Sequence, residues 1–403
     1  VGATGTIVFF ILGFMNGLTT GITVLSSQRY GAGDYEGLRK SVGNAFVLGL
    51  IVTVIMTVLS LLGMDWLLSI MQTPEDIFDM SKEYIVIICA GIIFTTLYNL
   101  TASILRAVGN SKVPLYFLIL SALLNVVLDL FFIMVLSWGV AGAAIATVIS
   151  QGVSGILCLV FLLTKVDILK LKKEHFKLDP IGAKIQLNIG IPMALQFSIT
   201  AIGTMILQAA LNLLGSTVVA SYTAACKVEQ LVTQAFQAMG MTMATYSAQN
   251  WGIHSTERIR KGQKTAMVLS SSYAVIIYFV VLAILPFMTS LFFDGDLTTV
   301  IGYVREYIQI CGLCFIPLGM IFIYRNVLQG CGYALFPTLG GVVELISRSV
   351  FAFMAARAKS YTGICIANAS AWVTAGIFLW IAYLFIMKGI LKKDEERKGT
   401  CNL

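Results

Sequence analysis

Long apolar stretches, separated by short polar ones, run along the whole chain. Each stretch has about 20 residues or more, which is the length an α-helix needs to cross a bilayer. Strands of a membrane barrel would be shorter and would alternate in polarity. The pattern therefore predicts an all-α protein that crosses the membrane about eleven times. The predicted spans are 3–27, 41–63, 83–105, 113–136, 139–164, 185–213, 218–248, 263–293, 304–328, 335–357 and 362–388.

Two motifs recur along the chain at nearly the same offset. Gln28–Gly31 (QRYG) returns as Gln249–Gly252 (QNWG), 221 residues later. Leu105–Gly109 (LRAVG) returns as Leu328–Gly332 (LQGCG), 223 residues later. A repeat of this kind indicates two related halves. In membrane proteins built from such halves, the functional site commonly lies near the bilayer midplane where the halves meet.

The second half contains one predicted helix more than the first, because the span 185–213 has no counterpart before 3–27. We therefore expect twelve helices in the complete protein, six in each half, with the first one absent here. An even number per half gives both halves the same orientation, which predicts a pseudo-two-fold axis along the membrane normal. The predicted parts are an N-terminal lobe at 1–164, a cytoplasmic connector at 165–184, a C-terminal lobe at 185–391 and a cytoplasmic tail at 392–403.

Composition and charge agree with a membrane protein. The chain is 58% hydrophobic and 12% charged, whereas a soluble domain is about half apolar and a quarter charged. The predicted topology puts 21 of the 27 Lys and Arg residues on one side of the membrane and 4 on the other. This bias makes the first side cytoplasmic. The net charge of +7 therefore reflects the orientation of the protein in the membrane. We expect a multi-pass protein of the inner or plasma membrane, a monomer in the lipid bilayer, with no nucleic-acid partner.

Cysteines and histidines form no pattern typical of catalysis or metal binding. The eight cysteines lie mostly in apolar runs, where they serve as small hydrophobic side chains. The two histidines, His175 and His254, fall in predicted loops. A membrane-embedded enzyme would need such groups clustered at catalytic or metal-binding spacing. We therefore expect no enzyme, no metal site and no cofactor.

The order and spacing of the motifs resemble the multidrug and toxic compound extrusion (MATE) family in its bacterial form. Asn125–Asp129 (NVVLD), Gly139–Ala144 (GVAGAA) and Gly190–Pro192 (GIP) also look like family signatures. The resemblance implies a secondary active antiporter that exports amphipathic, often cationic, drugs or toxins. Export would be driven by Na⁺ or H⁺ entry, through alternating access of the two lobes.

A lipid-linked oligosaccharide flippase of the same superfamily is the alternative function. It would need a cleft rich in Arg and Lys to hold a diphosphate. Only Lys227, Arg325 and Arg348 are available for that purpose, and all three lie in the second half. The sequence therefore favours the exporter.

Ionisable residues are costly inside a membrane helix, so each one is a candidate functional residue. Asp129 shares a helix face with Asn125, one turn earlier. Their oxygens suit a hard cation such as Na⁺, and the carboxylate could also take up H⁺. We expect this pair to bind the coupling ion. The alternative is a structural carboxylate bonded to a neighbouring helix.

The second half carries two further groups of ionisable residues. Glu229 and Lys227 are two residues apart and so face different directions on a helix. We expect Glu229 to bind substrate or a proton, and Lys227 either to contribute to that site or to make an internal ion pair. Glu344 and Arg348 are spaced i and i+4, which predicts an ion pair, with a gating or coupling role as the alternative.

Four uncharged residues complete the candidates. Gln237, Met239 and Met243 lie in a polar, Met-rich stretch that could bind substrate, because Met adapts to varied partners. Ordinary helix packing explains the stretch equally well. Pro317 lies within a predicted span, where it predicts a kink and a hinge.

Overall fold

The computed structural model describes residues 5–70, 75–292 and 297–401, and this part of the chain is helical with no strand. The chain forms two compact units, Val1–Ser198 and Ile199–Leu403. Residues 402–403 and the side chains of 393–401 lie outside the description, and with them most of the predicted tail.

Eight α-helices lie in the first unit, and a ninth begins there. They are α1 Gly5–Ile22, α2 Val24–Gly31, α3 Tyr35–Leu62, α4 Met64–Ile70, α5 Glu75–Ala90, α6 Ile92–Ala107, α7 Lys112–Leu130, α8 Gly139–Lys165 and α9 Pro180–Asn212. A π-helical turn, Phe131–Val135, continues α7. The connector after α8 contains two 3₁₀ turns, Asp167–Leu169 and Lys173–Phe176.

The second unit contains the rest of α9 and seven further helices. They are α10 Ser216–Gly252, α11 Thr256–Ala283, α12 Leu285–Ser290, α13 Leu297–Gly312, α14 Phe315–Gly330, α15 Leu335–Ala358 and α16 Tyr361–Cys401.

Within the described residues, eight helices are long and apolar enough to cross a membrane, and two bent pairs raise the number to ten. Each of the eleven predicted spans corresponds to one of these or to α10, so the predicted all-α, multi-pass class is confirmed. The helix α10 has 37 residues and carries Lys227 and Glu229, and it is not among the helices that are apolar enough by this criterion.

Each unit contains one span that is bent at a break between two helices. The bend between α5 and α6 is 45° and that between α13 and α14 is 52°. The first bend, at Gly91, was not predicted; a Cβ atom at this glycine would overlap the Val148 side chain. The second bend falls at 313–314, and Pro317 follows in the first turn of α14. A proline there removes no helical hydrogen bond, because the first N–H groups of a helix have no partner within it.

The repeated sequence motif corresponds to a repeated turn. After α2, Gly33 has φ +73°, and the next N–H donates to the Arg29 carbonyl. After α10, His254 has φ +52°, and the next N–H donates to the Asn250 carbonyl. Both turns end a helix with the same hydrogen-bond pattern, so the motif encodes a helix terminus in each unit.

The connector packs against α3, although its length and charge predict a solvated loop. Asn44 on α3 donates to the Asp179 carbonyl at 3.2 Å and accepts the Asp179 N–H at 3.0 Å. A Cβ atom at Gly43 would overlap the His175 carbonyl, so a glycine is required for this close approach. Arg39 Nε also donates to a connector carbonyl at 3.0 Å. These contacts satisfy backbone groups that a free loop would leave to water.

Candidate functional site

Glu229, on α10, is held by a chain of hydrogen bonds that reaches two other helices. The Tyr307 hydroxyl, from α13, donates to Glu229 Oε2. Asn368 Nδ2, from α16, donates in turn to the Tyr307 oxygen at 2.8 Å. Tyr307 and Asn368 are buried, and Glu229 is partly exposed. The carboxylate therefore contacts neutral hydrogen-bonding groups, with no ion pair within 4.0 Å among the described residues.

The pattern of α10 explains how Glu229 reaches this position. Tyr222, Cys226 and Glu229 are spaced by four and three residues, so they lie along one face of the helix. That face packs against α13, where the Tyr222 ring meets the Tyr307 ring edge-on at 5.3 Å between centroids. This face of α10 packs in the core of the second unit and thus places the Glu229 carboxylate next to the Tyr307 hydroxyl. Sequence reasoning missed Tyr307 and Asn368, because neither is charged.

A second group of polar residues is buried between α14 and α15. Glu344 Oε1 lies 2.7 Å from Arg348 Nη2, and Glu344 Oε2 lies 3.5 Å from Arg325 Nη2. The ion pair predicted from the spacing of Glu344 and Arg348 is present. The Arg325 side chain is largely buried against this carboxylate. A Cβ atom at Gly203, on α9, would lie 2.7 Å from Arg348 Nη1, so the glycine makes room for the guanidinium.

The charges of the two groups are linked. Arg348 lies within electrostatic range of Glu229, and one carboxylate, Glu344, faces both guanidinium groups. The four charges balance only when Glu229 is ionised. Because an uncompensated charge is costly inside a membrane protein, loss of the negative charge at Glu229 changes the energy of the whole group.

Asn125 and Asp129 lie in the first unit, on the face of α7 that carries Ser121. The Ser121 hydroxyl donates to the Ser150 carbonyl on α8 at 2.8 Å, which sets the orientation of this face. One atom of each candidate, Asn125 Nδ2 and Asp129 Oδ1, is buried without a hydrogen-bond partner among the described residues. A buried polar atom without a partner is uncommon and requires an explanation. A π-helical turn follows directly after Leu130, and such turns often occur at functional sites.

The remaining candidates occupy different environments on α10. Lys227 is exposed and makes no ion pair within the described part of the chain, so the expected internal pair was wrong; Glu229 pairs with Tyr307 instead. Gln237 is exposed and Met239 partly buried. Met243 is buried in the core of the second unit, where it packs within that unit.

Comparison with known families identifies the chain. The MatE family model matches residues 1–131 and 192–354, which is well over half of the chain. The chain belongs to the MatE family. This MatE protein is accordingly a member of a family of membrane transporters.

Two curated relatives come from Bacillus subtilis (strain 168). "Probable multidrug resistance protein YpnP" is 31% identical over 267 residues, which cover 64% of this chain and 57% of that protein. The chain thus spans less than two thirds of this relative. "Probable multidrug resistance protein YoeA" is 24% identical over 394 residues, which cover 94% of this chain and 84% of that protein.

A solved structure shares the fold of this MatE protein. It is described as the "outward-facing conformation of a multidrug resistance MATE family transporter of the MOP superfamily". The match has a TM-score of 0.90 at 21% identity and covers 97% of this chain and 88% of that one. At this level of identity the likeness concerns the fold alone.

Proposed function

We propose that this protein is a secondary active antiporter of the plasma membrane that exports amphipathic, cationic drugs or toxins. Export is driven by the entry of Na⁺ or H⁺ and proceeds by alternating access of the two lobes. Asp129 with Asn125 binds the coupling ion in the first unit. Glu229 exchanges a proton or a cationic substrate in the second unit.

The environment of Glu229 is the observation that carries this proposal. Its carboxylate receives a hydrogen bond from a neutral phenol, whereas Glu344 is committed to two guanidinium groups. A carboxylate without a close ion pair can bind H⁺, Na⁺ or an organic cation. Each of these removes or neutralises the same negative charge, so their binding is mutually exclusive at one site. Such competition at Glu229, together with ion binding at Asp129, links the affinities for ion and substrate, as antiport requires.

Relatives and charge distribution support the direction and the membrane. Both Bacillus relatives bear names of probable multidrug resistance proteins. The predicted topology concentrates the Lys and Arg residues on the side that carries the connector, which supports a cytoplasmic position for this side in an inner or plasma membrane. Small organic substrates are the ligands that such names suggest.

Competition binding tests the exchange. The purified protein in detergent is titrated with tetraphenylphosphonium at several pH values and, separately, at several Na⁺ concentrations. We expect binding to weaken as H⁺ or Na⁺ rises, and we expect Glu229→Gln or Asp129→Asn to remove that dependence. The matched control is Glu174→Gln, which changes an exposed connector carboxylate. Binding that does not respond to pH or Na⁺ in the wild type would contradict the proposal.

The flippase alternative is less well supported by the same region. A diphosphate would need free guanidinium groups, but Glu344 contacts both Arg325 and Arg348. If tetraphenylphosphonium fails to bind and a labelled lipid-linked oligosaccharide crosses proteoliposome membranes, the flippase is the correct function. Transport of the cation without the oligosaccharide supports the exporter.

A further inference from the structure

The first unit contains an apolar cavity that the transport mechanism does not use. Its volume is about 400 Å³, and its walls come from α3, α6, α8 and the connector. Phe46 and Leu50 line one wall, Leu163 lines another, and Leu171 and Phe176 of the connector cover one end. This volume falls within the range of specific small-molecule and cofactor sites.

The cavity opens at an exposed, apolar surface of the unit. Leu50 and Leu163, on its rim, expose 54% and 49% of their surface. The walls offer few polar groups, and one of them, the Thr53 hydroxyl, is already bonded to the Gly49 carbonyl at 2.6 Å. The other threonine in the wall, Thr96, has a buried hydroxyl without a hydrogen-bond partner among the described residues. Because no wall residue is charged, the occupant of the cavity is mainly an apolar chain or ring.

The dimensions favour a chain that lies along the helices. The wall on α3 extends from Phe46 to Thr53, which is about 10 Å at 1.5 Å per residue. One leaflet contributes about half of the 30 Å hydrocarbon core. The cavity therefore follows a large part of one leaflet, beginning next to the connector, where the headgroups of that leaflet lie.

The connector end of the cavity is strongly basic. Leu171 and Phe176 cover the cavity, and the exposed Lys170, Lys172, Lys173 and Lys177 lie beside them in the chain. Lys170 and Lys172 are partly neutralised by connector carboxylates. Lys173 and Lys177 make no ion pair within the described residues. An apolar cavity covered by a connector segment that carries lysines without ion pairs is complementary to an anionic lipid.

We propose that the cavity holds an acyl chain of an anionic phospholipid of the cytoplasmic leaflet, with its phosphate against Lys173 and Lys177. The Phe46 and Phe176 rings pack against each other, with their centroids 6.3 Å apart, so the acyl chain lies beside this pair of rings. This site is separate from the residues assigned to transport, so the proposal does not depend on the proposed function.

Native mass spectrometry of the purified protein tests the site. The probes are phosphatidylglycerol and phosphatidylcholine with identical acyl chains, added to delipidated protein in detergent. We expect one tightly retained phosphatidylglycerol and weaker retention of phosphatidylcholine. Leu50→Trp, which fills the cavity from its rim, should abolish retention of both. Leu62→Trp is the matched control, since Leu62 lies on the same helix, is 82% exposed and does not line the cavity.

Charge variants distinguish the contribution of the lipid headgroup to binding from that of the acyl chain. Lys173→Gln with Lys177→Gln should reduce the preference for phosphatidylglycerol by roughly tenfold or more while leaving phosphatidylcholine unchanged. Arg260→Gln with Lys264→Gln, on exposed positions of α11, should have no effect. Leu163→Trp repeats the filling test from another wall in case Leu50→Trp does not purify as a monodisperse protein.

Three results would overturn the assignment. They are equal retention of the two lipids by the wild type, wild-type retention by a folded cavity-filling variant, and displacement of the bound lipid by tetraphenylphosphonium. The last result would make the cavity a substrate site.

Discussion

Glu344→Gln should destabilise the second unit more than the loss of either arginine that it contacts. The Glu344 carboxylate is shared by Arg348 at 2.7 Å and Arg325 at 3.5 Å, with side-chain exposures of 9%, 4% and 14% in that order. Removing its charge leaves two buried guanidinium groups without their common partner. Removing one side of a buried ion pair costs roughly 3–5 kcal/mol.

This cost converts into a measurable change in melting temperature. A unit of this size loses about 2–4 °C per kcal/mol, so we expect an apparent Tm about 6–20 °C below that of the wild type. Arg325→Met is the matched comparison, because it leaves the Glu344 carboxylate paired with the Arg348 guanidinium. We expect it to lower the Tm by less than Glu344→Gln does.

Buried cysteines provide the assay. Seven cysteines of the described chain carry free thiols, and Cys311, Cys331 and Cys365 are buried in the second unit. A thiol-reactive fluorophore reports their exposure as the protein is heated in detergent. A Tm for Glu344→Gln within about 2 °C of the wild type, or a larger loss for Arg325→Met, would show that Glu344 is not the shared anchor.

Two further predictions concern the N-terminal end of α3. The Asp34 carboxylate caps α3 by accepting the Gly37 N–H at 2.8 Å, and this bond, with the nearby Arg29, holds the pKa of Asp34 below its usual range. Asp34→Ala should therefore lower the free energy of unfolding by about 0.5–2 kcal/mol at neutral pH. The Tm difference from the wild type should shrink as the pH falls through the lowered pKa of Asp34, because the stabilising ionised form is lost there. A difference that grows on acidification would be inconsistent with this cap. Gly43→Val should detach the connector, because the valine side chain would overlap the His175 carbonyl. Trypsin should then cleave the connector faster than in the wild type and in the control Gly302→Val, where a Cβ atom meets nothing within 4 Å. Equal cleavage rates would contradict the packing described for the connector.

Local patterns predicted the helices well because each one depends on nearby residues. Apolar length identified the ten spans that are apolar enough to cross a membrane and the long helix α10, and the repeated turn residues marked the ends of α2 and α10. The i, i+4 spacing of Glu344 and Arg348 predicted their ion pair, since both residues lie on one helix. The bend at Gly91 was missed, because the Val148 side chain that a Cβ atom there would overlap lies on a different helix.

Contacts between distant residues were not predictable in the same way. Tyr307 is 78 residues from Glu229 in the chain, and Asn368 is 61 residues from Tyr307. Their hydrogen bonds depend on how α10, α13 and α16 pack, and a buried tyrosine in an apolar run gives no signal by itself. The spacing of Tyr222, Cys226 and Glu229 along α10 was the only available hint that this face enters a core.

Packing of the connector was likewise hidden by its composition. Its lysines indicate a solvated loop, and they are indeed exposed. The groups that attach it are Asn44, Gly43 and Arg39, which lie within or next to a predicted membrane span and form no motif. The apolar residues Leu171 and Phe176 alternate with charges too irregularly to predict a covered cavity.

Gradient-driven efflux tests the central claim, cation-coupled export, most directly. The protein is reconstituted into proteoliposomes loaded with a fluorescent cationic dye, and an inward Na⁺ gradient or an inward pH gradient is imposed separately. The account predicts dye efflux under at least one gradient, and loss of that efflux in Asp129→Asn and Glu229→Gln but not in Glu174→Gln. Absence of gradient-driven efflux in the wild type, or undiminished efflux in both carboxylate variants, would contradict it.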